Sequence, residues 1–213
     1  KYDEAPERSE RVEGRKSVHV NRRKEHANEV RLMMKNPFVE YLNSLSNSSA
    51  ANENATAESQ LGNDYFVRIY VDNPIAEHVY NVLIDEGVNV ILTGNAGDGK
   101  TTIAAEVVGR VKGTSPQLLS PREEIPEAHL VVIKDFSELG NDDRVAILKE
   151  AIDNTADRYL VISNTGKLLE TFRRLREDGA RADESELLTA LQSSKPEFVL
   201  NNKFLVINIG RTD

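Results

Sequence analysis

The residues best suited to chemistry lie together, from Gly94 to Thr102, between two apolar stretches. Positions 94–101 (GNAGDGKT) match the pattern G-x-x-x-x-G-K-[ST] at every fixed position. Glycines let a loop wrap closely and point several backbone N–H groups at one anion. A lysine adds a full positive charge, and a threonine hydroxyl is a suitable ligand for Mg²⁺. The pattern therefore predicts a loop that binds the phosphate groups of a nucleotide.

The sequence around this loop has the required context. An apolar, β-branched strand is predicted at Asn89–Thr93 and a helix at Thr101–Val111, whose N-terminus would face the phosphates. Lys100 is expected to contact the β- and γ-phosphates and Thr101 to bind Mg²⁺. The alternative is a tight strand-to-helix turn without a ligand. The predicted binding residues are Gly94, Asn95, Ala96, Gly97, Asp98, Gly99, Lys100, Thr101 and Thr102.

Two acidic residues follow a second apolar run, which is predicted to be a strand at 128–135. Asp135 is the candidate that holds Mg²⁺ through water, and Glu138 is the candidate base that activates the attacking water. Glu138 lies three residues after Asp135, whereas the commonest form of this ATPase motif has the two acids next to each other at the end of the apolar strand. The alternative for both acids is a purely structural role, as a helix cap or at a solvated strand end.

Asn164 ends a third predicted strand, Tyr159–Ser163. Its amide suits contact with the γ-phosphate or with the attacking water, and it equally suits the N-cap of the next helix. Arg211 follows the last predicted strand, and we expect it to be a surface residue; the alternative is contact with phosphate. The four histidines have no metal-ligand spacing, and no N-K-x-D run typical of GTPases is present. ATP is therefore the expected nucleotide, with Mg²⁺ as its metal.

The composition restricts the class of protein. The chain has 213 residues, no cysteine and a net charge of −8. The lack of cysteine excludes a disulfide framework, a thiolate zinc site and a cysteine nucleophile. No apolar run approaches the roughly 20 residues of a membrane-spanning helix, so we expect no membrane partner. The predicted phosphate-binding loop favours a cytoplasmic location, because ATP and GTP are intracellular. Residues 1–35 carry a net charge of +3 and the remainder −11, so the bulk of the chain does not favour nucleic acid.

Strands alternating with helices predict an α/β fold with a mostly parallel sheet covered on both faces, the three-layer sandwich of P-loop NTPases. Residues 1–63 are expected to form a charged arm, a short helix at Pro37–Leu45 and a polar linker from Asn43; residues 64–213 form the core. The arm is expected to be disordered, or ordered only against a partner.

No strand is predicted within 113–126. The remaining predictions are a strand at Phe66–Val71, helices at Pro74–Glu86, Lys167–Arg176 and Ser185–Gln192, a helix capped by Asn141, Asp142 or Asp143, and a last strand at Phe204–Ile209.

The motifs also occur in a fixed order along the chain. The loop, the Lys134–Glu138 run, Asn164-Thr165-Gly166 and Asn208-Ile209-Gly210-Arg211 together resemble the additional-strand ATPases related to AAA and STAND proteins. The short motifs are also similar to those of ATPase subunits of bacterial DNA-phosphorothioation-dependent restriction systems (the DptF-like group). This resemblance covers about residues 87–211. It implies ATP-driven control of a multi-subunit defence machine, with DNA contacted through the complex, and a chain that is part of a longer protein.

Two other functions fit the same loop. A small-molecule kinase would use arginines near the transferred phosphate, and Arg173, Arg174, Arg176 and Arg181 are the candidates. A nucleotide-gated interaction module would bind ATP with negligible hydrolysis by the isolated chain, and the displaced Glu138 favours this alternative.

Overall fold

The computed structural model describes residues 36–45, 60, 63–180 and 182–211. The predicted arm at 1–35, most of the linker and Arg181 lie outside this described part. The helices are α1 (Pro37–Ser44), α2 (Asp64–Ile69), α3 (Pro74–Ile84), α4 (Lys100–Lys112), α5 (Asn141–Asp153), α6 (Thr165–Glu177) and α7 (Glu184–Gln192). The strands are β1 (Asn89–Gly94), β2 (Arg122–Ile125), β3 (Leu130–Ile133), β4 (Arg158–Asn164), β5 (Glu197–Val199) and β6 (Phe204–Asn208). None of these helices has the length and apolar character needed to cross a membrane.

The chain divides into two compact units, residues 1–55 and 56–213. Within the first, the described element is α1, which confirms the helix predicted at Pro37–Leu45. Its N-cap is Asn36, whose side chain accepts the Phe38 N–H at 3.0 Å, and Pro37 occupies the first turn. Proline suits that position because its fixed φ is helical and its missing N–H would have no helical partner.

The second unit is built on one six-stranded sheet of order β2-β3-β4-β1-β6-β5. β3, β4, β1 and β6 are mutually parallel, and the two edge strands β2 and β5 are antiparallel to their neighbours. The predicted α/β class is therefore confirmed, with a mixed sheet. Because β1, β3, β4 and β6 run in the same direction, their carboxyl ends meet at one edge of the sheet.

Alternation along the strands places helices on both faces of the sheet. Val90 and Leu92 of β1 belong to one apolar cluster, which also holds residues of α3 and α4. Ile91, between them, belongs to the other cluster with residues of α5, α6 and α7. Successive side chains of a strand point to opposite faces, so a fully apolar strand is buried on both sides.

The strand predicted at Phe66–Val71 is wrong, because this segment forms α2. The Asn63 side chain accepts the N–H groups of Tyr65 (2.9 Å) and Phe66 (3.4 Å) and so caps a helix. The rings of Phe66 and Tyr70, four residues apart, pack with centroids at 5.3 Å. Val71 is 82% exposed, so the apolar alternation does not mark a buried face here.

Other boundaries also differ from the prediction. β2 lies in the segment where no strand was predicted, and the strand predicted from residue 128 begins at Leu130 after a 3₁₀ turn at Pro126–Ala128. Gly140, rather than Asn141, Asp142 or Asp143, is the N-cap of α5. The helices predicted at Pro74–Glu86, Lys167–Arg176 and Ser185–Gln192 are present as α3, α6 and α7, with no end shifted by more than two residues.

Candidate functional site

The loop between β1 and α4 is shaped by glycines for two different reasons. Gly97 and Gly99 have φ of +88° and +80°, a left-handed conformation that L-residues with a side chain rarely adopt. A Cβ at Gly94 would instead lie 2.7 Å from Oδ2 of Asp98 and 2.9 Å from Cγ1 of Ile209. Gly97 and Gly99 therefore set the curvature of the loop, and Gly94 allows its close packing.

The N-terminus of α4 presents backbone donors to the inside of the loop. Gly99 is the N-cap, and the first helical hydrogen bond runs from Ile103 N–H to the Gly99 carbonyl at 3.0 Å. The N–H groups of Lys100, Thr101 and Thr102 precede that bond and have no partner within the helix. Gly99 has no side chain to cap them, so this end of α4 is suited to an anion.

Lys100 is held under the loop by backbone carbonyls. It is 8% exposed, and its Nζ donates to the carbonyl of Gly94 at 3.3 Å and to the carbonyl of Asn95. Burial lowers the pKa of Lys100, while the negative charge of Asp98 opposes that shift. A buried ammonium is stabilised most by a counter-charge brought close to it, which is what a phosphate chain in this loop would supply.

The Asp98 carboxylate accepts a hydrogen bond from a backbone N–H group of the loop itself. Its Oδ2 accepts the N–H of Asn95 at 2.6 Å. This contact folds the loop back on itself and places a carboxylate among groups that otherwise suit an anion. The sequence pattern gives no signal for it, because residue 98 is a free position of the motif.

The end of β4 lies between the loop and the acidic segment. β4 pairs with β1 on one side and β3 on the other, and Asn164 is in register with Gly94. Asn164 is the N-cap of α6, but its side chain makes no capping hydrogen bond. Its amide side chain is exposed at the sheet edge that carries the loop, which is where the sequence-based hypothesis requires it.

Asp135 and Glu138 both fall in the segment that follows β3. Asp135 precedes a 3₁₀ turn, Phe136–Glu138, makes no side-chain cap, and pairs with Lys134 at 3.3 Å. Glu138 is exposed and forms no ion pair with any described residue. β3 is separated from β1 by β4, so the sheet places Asp135 two strands away from the loop, about 10 Å at the usual strand spacing. That separation suits an indirect contact with a bound ligand.

Ser137 ties the acidic segment to β4 and was not predicted. Its Oγ accepts the backbone N–H of Asn164 at 2.6 Å and lies 3.4 Å from the Ser163 hydroxyl. These bonds fix the position of the 3₁₀ turn relative to the end of β4. Because the contact spans 27 residues, only the order of the strands in the sheet could have revealed it.

A cleft of about 430 Å³ adjoins the loop on the face of the sheet covered by α6 and α7. Asn208 forms part of its wall, where its Nδ2 donates to the Leu191 carbonyl at 2.8 Å and its Oδ1 accepts the Gly210 N–H at 3.3 Å. Arg211 is exposed, as predicted, and also lines the cleft. The lining residues are Gly94, Asn95, Thr165, Leu169, Leu188, Leu191, Gln192, Asn208, Gly210 and Arg211.

The donor set fits a polyphosphate better than an isolated metal ion. Backbone N–H groups at the start of α4 and the buried Lys100 lie at the loop, whereas the described residues contain no cluster of three His, Asp or Glu side chains arranged to hold a metal. Mg²⁺ at nucleotide sites is typically bound by one or two protein oxygens together with phosphate oxygens and water. Thr101 and Asp135 are the residues that would hold it here.

Comparison of the chain with protein-family models, with curated proteins and with solved structures found no match. The function of the chain must therefore be inferred from its own residues.

Proposed function

We propose that this chain binds Mg-ATP in the loop between β1 and α4 and hydrolyses it. The observation that carries the proposal is the loop itself: two glycines with positive φ, an uncapped helix N-terminus and a buried Lys100 beneath them. A turn that only connects a strand to a helix requires none of these together, whereas a phosphate site uses all three.

The order of the strands supports a P-loop NTPase of the additional-strand class. β4, which ends in Asn164, is inserted between the strand that leads into the loop and the strand that leads to Asp135. That insertion is the feature for which the class is named, and it sets the amide between the phosphate loop and the acid. The proposal extends to the resemblance with AAA and STAND ATPases, for which the short motifs are the support.

Each polar residue has a role in the proposed reaction. The loop N–H groups and Lys100 hold the β- and γ-phosphates, and Asn164 orients the attacking water near the γ-phosphate. Glu138 accepts the proton of that water as its oxygen bonds to phosphorus and the bond to the ADP oxygen breaks. When bound to Thr101 and Asp135, Mg²⁺ would supply positive charge that neutralises the phosphate oxygens.

The test of ATP binding is the Lys100→Ala variant. Equilibrium titration with a fluorescent ATP analogue should show at least about a 100-fold loss of affinity, equivalent to about 2.7 kcal/mol. Lys195→Ala, which removes an exposed lysine elsewhere, serves as the matched control. Circular dichroism establishes that both variants are folded. Unchanged affinity in a folded Lys100→Ala variant would refute the proposal.

The nucleotide-gated module is the second candidate function, and two observations favour it. Asp98 occupies the Asn95 N–H, and the candidate base Glu138 is exposed rather than held against the loop. Both predict slow hydrolysis by the chain alone. Turnover measured with the chain alone and with its assembled protein partners separates the two, because a module of this kind would bind ATP and stay inactive in both.

Two of the four arginines that favoured the kinase alternative form ion pairs on the surface of α6. Arg173 pairs with Glu184 at 2.7 Å, and Arg174 pairs with Glu177 at 3.3 Å. α6 begins at the loop edge of the sheet, and these arginines lie eight or nine residues further along, about 12–14 Å at 1.5 Å per residue. They therefore point to a salt-bridged helix surface rather than to a phosphate-transfer site.

We also propose a cellular setting for this ATPase. A nucleoside-triphosphate site favours a cytoplasmic protein, and the motif resemblance favours a bacterial DNA-directed restriction complex with other protein subunits. In that setting, DNA is contacted by the complex. The net charge of −11 on residues 36–213 supports this division of labour, since an acidic surface repels the phosphate backbone.

A further inference from the structure

A second pocket lies at the opposite edge of the sheet from the phosphate loop. It opens where β1 and β4 begin and where the chain enters β6, and its volume is about 210 Å³. The lining residues are Gly87, Val88, Asn89, Asn154, Thr155, Arg158, Asn202 and Lys203. None of them belongs to the site proposed above.

The pocket is positively charged in an acidic chain. Its lining includes two cations, Arg158 and Lys203, and no carboxylate, although the chain as a whole has a net charge of −8. Within the described part of the chain, neither cation forms an ion pair. A concave surface with two unpaired positive charges concentrates its electric field on a ligand of opposite sign.

Backbone contacts fix the Arg158 guanidinium in this pocket. Its Nη1 donates to the carbonyls of Thr155 at 3.2 Å and Asp157 at 3.3 Å. Its Nε is buried and has no hydrogen-bond partner among the described residues. A buried donor without an acceptor is unfavourable, so an acceptor that reaches Nε would form a stabilising hydrogen bond with it.

Gly87 brings the chain close to the two unused donors. It has φ of +69°, and a Cβ at this position would lie 3.2 Å from Nε and 3.4 Å from Nη2 of Arg158. A larger residue here would therefore be strained and would crowd the guanidinium. Because residue 87 is glycine, no side chain at this position covers Nε and Nη2, the edge of the fork that can bind an oxyanion through two parallel hydrogen bonds.

We propose that this pocket binds a tetrahedral oxyanion of the phosphate class. Two positive charges match a doubly charged anion, and the Nε–Nη2 edge offers two parallel donors to two of its oxygens. Lys203, which is exposed at the pocket rim, supplies the second charge. This site is independent of the phosphate loop because it lies at the amino ends of β1 and β4 rather than at their carboxyl ends.

Titration of the full chain with inorganic phosphate, followed by amide NMR shifts at constant ionic strength, tests the proposal. Saturable shifts are expected at Gly87, Val88 and Asn202. The same shifts should persist in Lys100→Ala, because that variant removes only the loop lysine. Binding at the loop is followed separately through Gly97 and Gly99, so failure of one site is distinguishable from failure of the other.

Matched variants test whether the pocket residues bind phosphate. Lys203→Glu, at an exposed position, should weaken phosphate binding by about tenfold or more, and Arg158→Lys should weaken it by removal of the two-donor edge. Lys195→Glu makes the same charge change outside the pocket and should have no effect. The proposal is overturned by absence of saturable shifts, by equal losses in Lys203→Glu and Lys195→Glu, or by acetate binding as tightly as phosphate.

Discussion

Asp98 places a negative charge in the proposed phosphate loop, where it would repel a bound phosphate group. The carboxylate accepts the Asn95 N–H at 2.6 Å, and that amide lies in the loop expected to face the phosphates. A bound phosphate chain would be repelled by the carboxylate and would compete with it for this donor. We therefore expect Asp98 to limit the affinity for nucleotide, in contrast to the glycines and Lys100 around it.

Replacement of Asp98 by alanine should tighten nucleotide binding. The variant removes a negative charge and releases the Asn95 N–H, and a hydrogen bond to a charged group is worth about 1.5–3 kcal/mol. We expect the dissociation constant of an ATP analogue to fall by about tenfold. Asp142→Ala, at an exposed aspartate of α5, is the control. Weaker binding by Asp98→Ala would instead show that Asp98 supports the loop.

Asp135 and Glu138 should separate binding from chemistry. Asp135→Asn should weaken the Mg²⁺-dependent part of nucleotide binding, because it removes a charge expected to reach the ion through water. Glu138→Gln should leave affinity nearly intact and slow hydrolysis by roughly 10²–10⁴-fold, the usual size of general-base catalysis. Single-turnover hydrolysis and equilibrium binding of the same variants measure the two effects. Normal hydrolysis by Glu138→Gln would exclude Glu138 from the mechanism.

At the scale of elements, a buried arginine connects α5 with α6 and with the residue that follows the acidic segment. Arg144 is 1% exposed, and it donates to Thr171 Oγ1 at 3.0 Å, to the Leu139 carbonyl at 2.6 Å and to the side chain of Asn141. It also pairs with Glu170 at 3.2 Å. These bonds hold the chain between Glu138 and α5, so they position the segment that carries the candidate base.

The Arg144→Met variant should be destabilised by about 2–4 kcal/mol. Methionine fills part of the volume, but it removes the donor to the buried Thr171 hydroxyl and to the partly buried Leu139 carbonyl. Urea unfolding monitored by circular dichroism measures the loss. Arg174→Met, which removes a half-exposed arginine of α6, should change stability by less than about 0.5 kcal/mol. Equal losses in the two variants would contradict the role given to Arg144.

Elements with a strong local pattern could be predicted, and elements defined by long-range pairing could not. β1, β3, β4 and β6 are continuous apolar runs, and each was located from the sequence to within two residues. β2 has the sequence Arg-Glu-Glu-Ile and forms only because it pairs with β3 at the edge of the sheet. At Phe66–Val71 the alternation favoured a strand, but the Asn63 cap and local helical bonds decided the conformation.

The candidate site shows the same limit. The loop from Gly94 to Thr102 is contiguous, so one motif located it. Bringing Asn164 and Asp135 to the same edge required only parallel strands, which the alternation of helices and strands predicts. The Ser137–Asn164 bond and the pocket at Arg158 depend on side-chain positions set by the folded sheet. No spacing in the sequence encodes them.

At the scale of the whole molecule, both apolar clusters and the proposed site lie in the second unit. The buried residues of one cluster lie between Ile91 and Val206, and those of the other lie between Ala76 and Ile207. Both ranges fall within residues 56–213. This unit carries a net charge of −9, whereas residues 1–35 carry +3. Stability and nucleotide binding are therefore expected to belong to residues 56–213 alone.

A chain truncated to residues 56–213 should fold and bind an ATP analogue with the affinity of the full chain. The physical reason is that no described residue of the loop, of the acidic segment or of either apolar cluster is removed. Thermal unfolding and equilibrium titration of both chains test this, with Lys100→Ala in the truncated chain as the negative control. Binding of the truncated chain to duplex DNA at low salt is also expected to be absent, because its net charge is −9. Loss of ATP binding on truncation would mean that residues 1–55 contribute to the site.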